Sequence, residues 1–439
     1  MQKLISRVVV GVFLCSFSLL TSCKKDVKES KVSETLQVKP SEESDDQLEI
    51  NGTGFGNELS SVKLSFNGKP ATIKTVSDKK IIATIPTSDI KGPADLSING
   101  ITINLPVFSL WKTTVSTYAG TTVEGYADGN KDVAQFNGVE GIAVDTAGNL
   151  YIADANNNRI RKITIAGVVS TIAGTGVAGF ADGIASVAMF SKPTGIAVDN
   201  NLNIYVGDKN NHRVRKITPA GIVSTLAGTG VAGLLNGSGS VAKFNTPCGL
   251  TLDASNNVYV ADQVNNCIRK ITPLGVVSMY AGTGNMGFQD GNALGSARFT
   301  YPSALVFDKL GNLFIADRLN NSIRKVSGGI VSTVAGNGWE GATDGTKPNV
   351  TFHFPSGITA NSSNTLFVTD SDNDRIRRVS SIGVVSTYAG SLNGYQDGNA
   401  SVALFEYPRS IAIDSKGILY VGEKTKIRKI TRTSILIFQ

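Results

Sequence analysis

The stretch "GIAVDTAGNLYIADANNNRIRKI", residues 141–163, decides the fold because close variants of it return along the rest of the chain. It reads as a strand ("GIAVD"), a D-x-x-G-N turn, a second strand ("LYIAD"), an Asn-rich loop and a third strand ("IRKIT"). A short turn and a fourth strand, "VVSTIAG", complete the unit. We refer to the four strands, in chain order, as a, b, c and d.

The unit has a nearly constant length. One phenylalanine recurs every 53 to 55 residues, at Phe136, Phe190, Phe244, Phe299, Phe352 and Phe405. Four strands in a repeat of this period are typical of a propeller blade. The sequence therefore predicts an all-β fold with a six-bladed β-propeller over residues 111–439.

Two segments compete for the last strand d of the ring. "TVSTYAG", residues 114–120, matches a strand d that has no strand a, b or c before it, so it would complete the last blade. "SILIF", residues 434–438, aligns with the same position. The sequence leaves open which of the two closes the ring.

A second, smaller domain precedes the propeller. Residues 48–110 contain short apolar runs separated by turn signals such as Asn67-Gly68 and Asn99-Gly100, which favour two-residue hairpin turns. This spacing predicts a small antiparallel sandwich.

Both regions resemble known families. "INGTGFGNELSSVKLSFNGKPATIKTVSDKKIIATIP" resembles the IPT/TIG immunoglobulin-like module, which implies a spacer or interaction domain. The pattern F-x-x-P-x-G-I-A-V-D-x-x-G-N-L-Y-I-A-D-x-x-N-N-R-I-R-K-I-T in residues 111–439 resembles the NHL repeat. Single units depart from it at Val139, at Asn361, and at Glu423, where the b-to-c loop is also shorter.

The N-terminus has the form of an export signal. Lys3 and Arg7 precede an apolar run that is too short to span a bilayer, and the run ends in Leu20-Thr21-Ser22-Cys23. These four residues resemble a bacterial lipobox. The resemblance implies a signal peptide at residues 1–22, lipid on Cys23, and an exported outer-membrane lipoprotein that contacts the membrane through its lipid alone. Exposure on the cell surface is left open.

The segment between the lipidated cysteine and the sandwich is strongly polar. Residues 23–47 are rich in charge and nearly free of aromatics, so they are predicted to be a flexible tether. The net charge of +7 falls to +5 without Lys3 and Arg7, which is no basis for nucleic-acid binding. Only Cys248 and Cys267 then remain in the folded part, and we predict two small buried thiols rather than a disulfide.

The repeated charges are predicted to belong to the scaffold. An acid ends strand b once per unit, and an arginine lies on strand c once per unit, as expected of ion pairs that satisfy each other locally. The aspartates that end strand a each open a D-x-x-G/N turn and are predicted to accept backbone hydrogen bonds there. A third set, each before a glycine, is predicted to cap a short turn.

Candidate binding residues lie where the units differ. The long d-to-a loops carry Tyr126, Phe180, Phe288 and Tyr395 at one equivalent place, and Trp339 has no tryptophan counterpart in the other loops. Such rings suit stacking on a sugar face or anchoring a protein partner, and the alternative is that they fold under their own loops.

Glu140 and Arg409 directly precede strand a in neighbouring blades. They would either pair with each other across the ring closure or face a polar ligand.

Catalytic chemistry finds little support. His212 and His353 occupy inequivalent places in their repeats, so no histidine-ligated metal, no cofactor and no enzymatic activity are predicted. An all-oxygen calcium site that includes Glu140 and a channel-centred hydrolase or lyase remain as alternatives.

The sequence thus predicts a lipid-anchored protein that binds carbohydrate through its d-to-a loop face, with the IPT/TIG-like domain as a spacer. A protein-protein interaction or adhesion platform, with an envelope protein as the partner, is the alternative. The oligomeric state is open.

Overall fold

The computed structural model describes residues 36–40, 47–85, 92–106 and 108–437. The predicted signal peptide, Cys23 and most of the predicted tether lie outside these residues. The regular structure within them consists of β-strands and five one-turn 3-10 helices. In this part of the chain no helix has the length and apolar character needed to cross a membrane.

The first domain is a sandwich of two four-stranded antiparallel sheets. One sheet has the order Gln37–Pro40, Gln47–Asn51, Lys80–Thr84 and Thr72–Ser77, and the other has Lys69–Pro70, Val62–Phe66, Ala94–Ile98 and Ile101–Asn104. A 3-10 helix covers Leu59–Ser61. Asn67 and Asn99 adopt positive φ in the two predicted hairpin turns, where the Asn-Gly pair accommodates the left-handed backbone.

The predicted start of this domain needs correction. Gln37–Pro40, which we predicted to be tether, pairs with Leu48–Asn51 as an edge strand. The charged residues around this strand are typical of a flexible tether, so the strand was not predicted. In the fold, Val38 packs against the sandwich core. At the other end, the boundary between residues 110 and 111 falls inside a single strand, Phe108–Gly120.

The other six sheets form the predicted propeller, and strands a contact one another around a central channel. Strands a are Val139–Val144, Pro193–Val198, Pro247–Leu252, Pro302–Phe307, Pro355–Ala360 and Ser410–Ile413. Strands b are Leu150–Asp154, Ile204–Asp208, Val258–Asp262, Leu313–Asp317, Leu366–Asp370 and Leu419–Gly422. Strands c are Arg159–Ile163, Arg213–Ile217, Cys267–Ile271, Ser322–Ser327, Arg375–Val379 and Lys426–Ile437.

Strands d form the outer edge of each blade: Val168–Ala173, Ile222–Ala227, Val277–Ala281, Ile330–Ala335, Val385–Ala389 and Phe108–Gly120. Four blades add a two-residue strand beyond it, at Gly129–Asn130, Gly183–Ile184, Gly291–Asn292 and Gly398–Asn399. Four of the b-to-c loops contain a 3-10 helix, at Ala155–Asn157, Lys209–Asn211, Arg318–Asn320 and Ser371–Asn373.

The question of ring closure is resolved by the strand register. Phe108–Gly120, the closing strand, supplies strand d of blade six and pairs along its whole length with Lys426–Ile437, the terminal strand. Residues 114–120 therefore close the ring, and residues 434–437 extend strand c instead of competing for strand d. The ribbon made by the two strands reaches the sandwich, where Phe108, Leu110 and Ile437 join its core.

The propeller core lies between blades. Each apolar cluster joins two neighbours; for example, Ala143 and Tyr151 of blade one pack with the repeated Phe190 and with Ile196 of blade two. Near the channel the blades approach so closely that a Cβ on Gly141 would lie 2.0 Å from the Thr194 carbonyl oxygen. The glycine of "GIAVD" is therefore a packing requirement of the inner wall.

Candidate functional site

The repeated charges form ion pairs, as predicted, and each pair is buried within a single blade. Asp154 and Arg161 are both fully buried, and Asp154 Oδ2 lies 2.8 Å from Arg161 Nη1. The other blades repeat this contact at 2.6 to 3.2 Å, in the pairs Asp208–Arg215, Asp262–Arg269, Asp317–Arg324, Asp370–Arg377 and Glu423–Arg428. These charges serve the scaffold.

The aspartates before glycine do more than the predicted turn cap. Asp128 Oδ1 lies 2.6 Å from Arg161 Nη2, and Asp128 Oδ2 accepts a hydrogen bond from the Thr171 amide of strand d. In five blades the buried arginine thus binds a second acidic partner at the outer edge of the blade. In blade three Asn236 takes this place and accepts a 2.7 Å hydrogen bond from Arg269.

The aspartates that end strand a perform the predicted turn chemistry. Asp145 Oδ1 accepts hydrogen bonds from the Ala147 and Asn149 amides, and Oδ2 accepts one from the Tyr151 hydroxyl. Within the described residues, no group of three or more His, Cys, Asp or Glu side chains is arranged to hold a metal ion.

Blade six differs from the others in its buried acid. Arg428 follows Glu423 by five residues, whereas Arg161 follows Asp154 by seven, and the longer glutamate side chain spans the shortened loop. Burial raises the pKa of Glu423 to about 7, against the opposing effect of Arg428 and the Glu406 amide.

This raised pKa predicts a pH-dependent stability. The folded-state pKa of Glu423 exceeds its ordinary value of 4.5, so its contribution is complete below that pH and is lost as the pH rises through 7. We expect the free energy of unfolding of the wild type to fall more steeply between about pH 5 and pH 8 than that of Glu423→Gln. Urea titrations across this range measure both slopes, and equal slopes would contradict the assignment.

The predicted rim aromatics lie over cations of their own blades. The rings of Tyr126 and Phe180 each lie 3.7 Å from the guanidinium carbon of an arginine, Arg159 and Arg213 respectively. Tyr395 lies against Lys426 in the same way. Arg159 in turn donates a 2.7 Å hydrogen bond to the Thr175 carbonyl of the next loop. These rings are about half-buried and clamp neighbouring loops together, with one face covered.

Phe288 has a different environment. Its blade has Ser322 where blade one has Arg159, and the ring lies 5.0 Å from Arg324. A Cβ added at Gly338 would lie 3.4 Å from this ring, so Phe288 supports the backbone next to Trp339.

Trp339 is the most open of the predicted aromatics. The residue is 76% exposed, compared with 42% for Tyr126. Its loop is held by Asn337, whose Oδ1 accepts from the Trp339 amide and whose Nδ2 donates to the Pro348 carbonyl. An indole on a fixed loop presents flat area at low entropic cost.

Trp339 also belongs to a ring of exposed apolar loop tips that the sequence reading missed. The other members are Val123, Val177, Val231, Met286 and Leu392, all more than half exposed. The sequence alignment of the loops could have shown this ring, since four of these residues occupy the alignment position of Trp339 and Met286 lies one residue further on. We call these six residues the tip ring.

Glu140 and Arg409 meet at the channel mouth. Arg409 Nη1 lies 3.1 Å from Glu140 Oε1, so the pair bridges blades one and six across the ring closure. Both residues line a cavity of about 180 Å³. The b-to-c loops add Lys209, Gln263 and Arg318 to the lining, and sequence reasoning missed these three.

The cysteines are free and buried, as predicted. Cys248 lines the same cavity, and burial raises the pKa of its thiol to about 11 although Lys209 and Arg318 both act to lower it. The thiol is therefore protonated at neutral pH and is a weak nucleophile.

The histidines lie apart from the channel. The Thr246 amide donates to His212 Nδ1, and His353 Nε2 lies 3.3 Å from the Glu340 carboxylate. His212 therefore contacts the loop that precedes strand a of blade three, and His353 contacts a residue of its own d-to-a loop.

Comparison with known families agrees with this architecture. Residues 136–163, 190–217 and 352–378 match the NHL repeat, and residues 37–110 match the IPT/TIG domain. The Arabidopsis thaliana protein SUPPRESSOR OF QUENCHING 1, chloroplastic, is 30% identical over 304 residues, which cover 64% of this chain and 29% of that protein. Human NHL repeat-containing protein 2 is 28% identical over 314 residues, covering 62% of this chain and 43% of that protein. The chain thus spans less than half the length of these relatives.

Solved structures share the fold. A Bacteroides ovatus structure described as an auxiliary nutrient binding protein has a TM-score of 0.57 at 17% identity, covering 88% of this chain and 94% of that one. A Bacteroides thetaiotaomicron protein of unknown function has the same TM-score and identity, covering 93% and 99%. The chain thus contains NHL repeats and an IPT/TIG domain, and it has the all-β fold of a small sandwich followed by a six-bladed propeller.

Proposed function

We propose that the chain is an exported, lipid-anchored binding protein that takes a saccharide ligand on its d-to-a loop face. The IPT/TIG domain acts as a spacer between the lipid on Cys23 and this face. The proposal contains no catalytic step, because the buried carboxylates are engaged with arginines and the Cys248 thiol is held protonated.

The observation that carries the proposal is the environment of Trp339. Its indole is exposed on a loop that Asn337 holds in place, and Phe288 supports the neighbouring backbone. Aromatic rings with one free face stack on the apolar faces of sugar rings. The shared fold with a Bacteroides protein described as an auxiliary nutrient binding protein is consistent with such a role.

A protein partner is the second candidate, and the tip ring favours it. Apolar tips on all six loops surround the face, and exposed apolar groups on one face are typical of a docking surface. A saccharide would depend chiefly on Trp339, whereas a protein partner would depend on several tips together.

Replacing Trp339 distinguishes these candidates. The experiment uses the chain from Lys24 onward in affinity electrophoresis against neutral and acidic polysaccharides, with a parallel assay for released reducing sugar. We expect retardation without sugar release, and an affinity about tenfold weaker in Trp339→Ala because the stacking surface is lost.

Leu392→Ala is the matched control, since Leu392 occupies the same loop position without an aromatic ring. It should leave retardation by polysaccharides unchanged. Equal losses in both variants, or no retardation by any polysaccharide, would argue against a saccharide and for a protein partner. Release of reducing sugar would overturn the non-catalytic role.

A further inference from the structure

Three consecutive blades place polar side chains at equivalent positions of the channel mouth. Lys209, Gln263 and Arg318 each directly follow the buried acid of strand b in blades two, three and four. All three line the cavity that also contains Glu140 and Arg409. We call Lys209, Gln263 and Arg318 the mouth arc.

The cavity carries an excess of positive charge. Its lining contains three cations and one carboxylate, and that carboxylate, Glu140, is already engaged by Arg409. Neither Lys209 nor Arg318 forms an ion pair with any described residue. An anion entering the mouth would therefore meet two cations whose charges are not neutralised locally.

Gln263 lies between these two cations in blade order. The residue is 8% exposed, and its side-chain atoms are not among the buried polar atoms of the described residues that lack a hydrogen-bond partner. Its position in the cavity lining makes it a donor for whatever occupies the mouth.

The backbone at both cations of the arc is held in place. Lys209 and Arg318 each begin a 3-10 helix that is anchored by hydrogen bonds from Asn211 and Asn320 to the buried acids. The guanidinium carbon of Arg318 also lies 4.9 Å from the centre of the Phe354 ring, which restricts its orientation. Donors fixed before binding lose little entropy when a ligand arrives.

We propose that the mouth arc binds the carboxylate of an acidic saccharide, with Lys209 and Arg318 on either side and the Gln263 amide between them. This inference rests on the proposed saccharide-binding function and narrows its ligand class to uronic-acid sugars. The cavity of about 180 Å³ is below the 300–1,000 Å³ typical of pockets that enclose a drug-sized ligand. It therefore receives one anionic end, and the remainder of the saccharide extends over the loop face toward the tips.

Calorimetric titration of the wild type with glucuronate, glucose and inorganic sulfate tests the proposal. We expect glucuronate to bind, glucose to bind at least about tenfold more weakly, and added salt to weaken glucuronate binding because charge-assisted contacts dominate. Lys209→Ala and Arg318→Ala should each weaken glucuronate binding about tenfold or more. Thermal unfolding checks that the variants remain folded, and Lys209→Gln repeats the test with a smaller change in size.

Lys424 provides a matched control. It occupies the equivalent position in blade six, but its ammonium pairs with Glu124 and it is not part of the cavity lining. Lys424→Ala should change glucuronate affinity by less than about twofold, because its charge is already neutralised.

Failure of this inference can be distinguished from failure of the proposed function. Retardation by neutral polysaccharides that depends on Trp339, without any preference for glucuronate over glucose, would leave saccharide binding intact and overturn the anionic site. Binding of sulfate without glucuronate would also overturn it, as would glucuronate binding that Lys209→Ala and Arg318→Ala leave unchanged. Loss of binding in both arc variants but not in Lys424→Ala would support it.

Discussion

Replacing Arg215 by methionine is expected to destabilise the propeller by about 3–5 kcal/mol, because it leaves the fully buried Asp208 without its cation. Arg215 also donates to the Met189 and Ala181 carbonyl oxygens, so two further acceptors lose a partner. Urea-induced unfolding followed by fluorescence measures the change. A loss below about 1 kcal/mol would show that the buried pair contributes little to holding the blade together.

The chain offers its own control for this variant. Asp182, the second acid on Arg215, is 40% exposed, and blade three uses Asn236 at the same place. Asp182→Asn should therefore cost less than about 1 kcal/mol. The double variant Arg215→Met/Asp208→Leu should recover part of the loss, since no unpaired charge then remains buried.

The scaffold role of these charges could be predicted because repetition itself is informative. A residue that recurs once per blade in equal numbers with an opposite charge is satisfied within the blade, whatever the ligand. The second partner of each arginine was harder to assign. Asp128 precedes Arg161 by 33 residues and reaches it only because the d-to-a segment runs down the outer edge of strand d.

The limits of the domains were harder to predict, because the composition of the segments at these limits does not indicate how they pack in the fold. Gln37–Pro40 lies in a charged segment, yet its backbone pairs with Leu48–Asn51. The apolar pattern of residues 434–437 suits either an outer strand d or a continuation of strand c. The choice depends on pairing with residues 108–111, which lie across the predicted domain boundary.

Some features of the candidate site could be predicted from the sequence, and others depend on the fold. Equivalent aromatics in the loops were visible in the sequence, but the cation beneath each ring was not, since Arg159 follows Tyr126 by 33 residues and meets it only in the folded blade. The mouth arc could also have been predicted from the sequence. The residue after the strand-b acid varies from blade to blade while its neighbours repeat, and variation at one position of a regular ring marks a site where function can differ.

A disulfide between Thr114→Cys and Thr431→Cys is expected to raise the stability of the ring strongly. The two threonines are register partners in the closing and terminal strands, and their Oγ1 atoms lie 2.9 Å apart. They are separated by 317 residues in sequence, for which the loop-entropy relation gives a stabilisation of roughly 5–6 kcal/mol, with about 2–4 kcal/mol typical of measured disulfides. Thermal unfolding before and after reduction measures the effect.

The pairing scheme makes this test specific. Ser434 pairs with Trp111, so Thr114→Cys/Ser434→Cys should not form a crosslink, and Cys248 and Cys267 are buried and do not compete. Crosslinking of this control instead of the Thr114–Thr431 pair would mean that residues 434–437 take another register.

The closing ribbon also has a consequence for how the binding face is held. Phe108, Leu110 and Ile437 belong to the sandwich core, while Val115 and Ile430 of the same two strands belong to the core of blades five and six. One continuous pair of strands therefore enters both cores, and unfolding blade six would remove apolar contacts from the sandwich as well. We expect the Thr114–Thr431 disulfide to raise the unfolding temperature of both domains together, with both gains lost on reduction. A gain confined to the propeller would mean that the ribbon passes through the sandwich core without stabilising it.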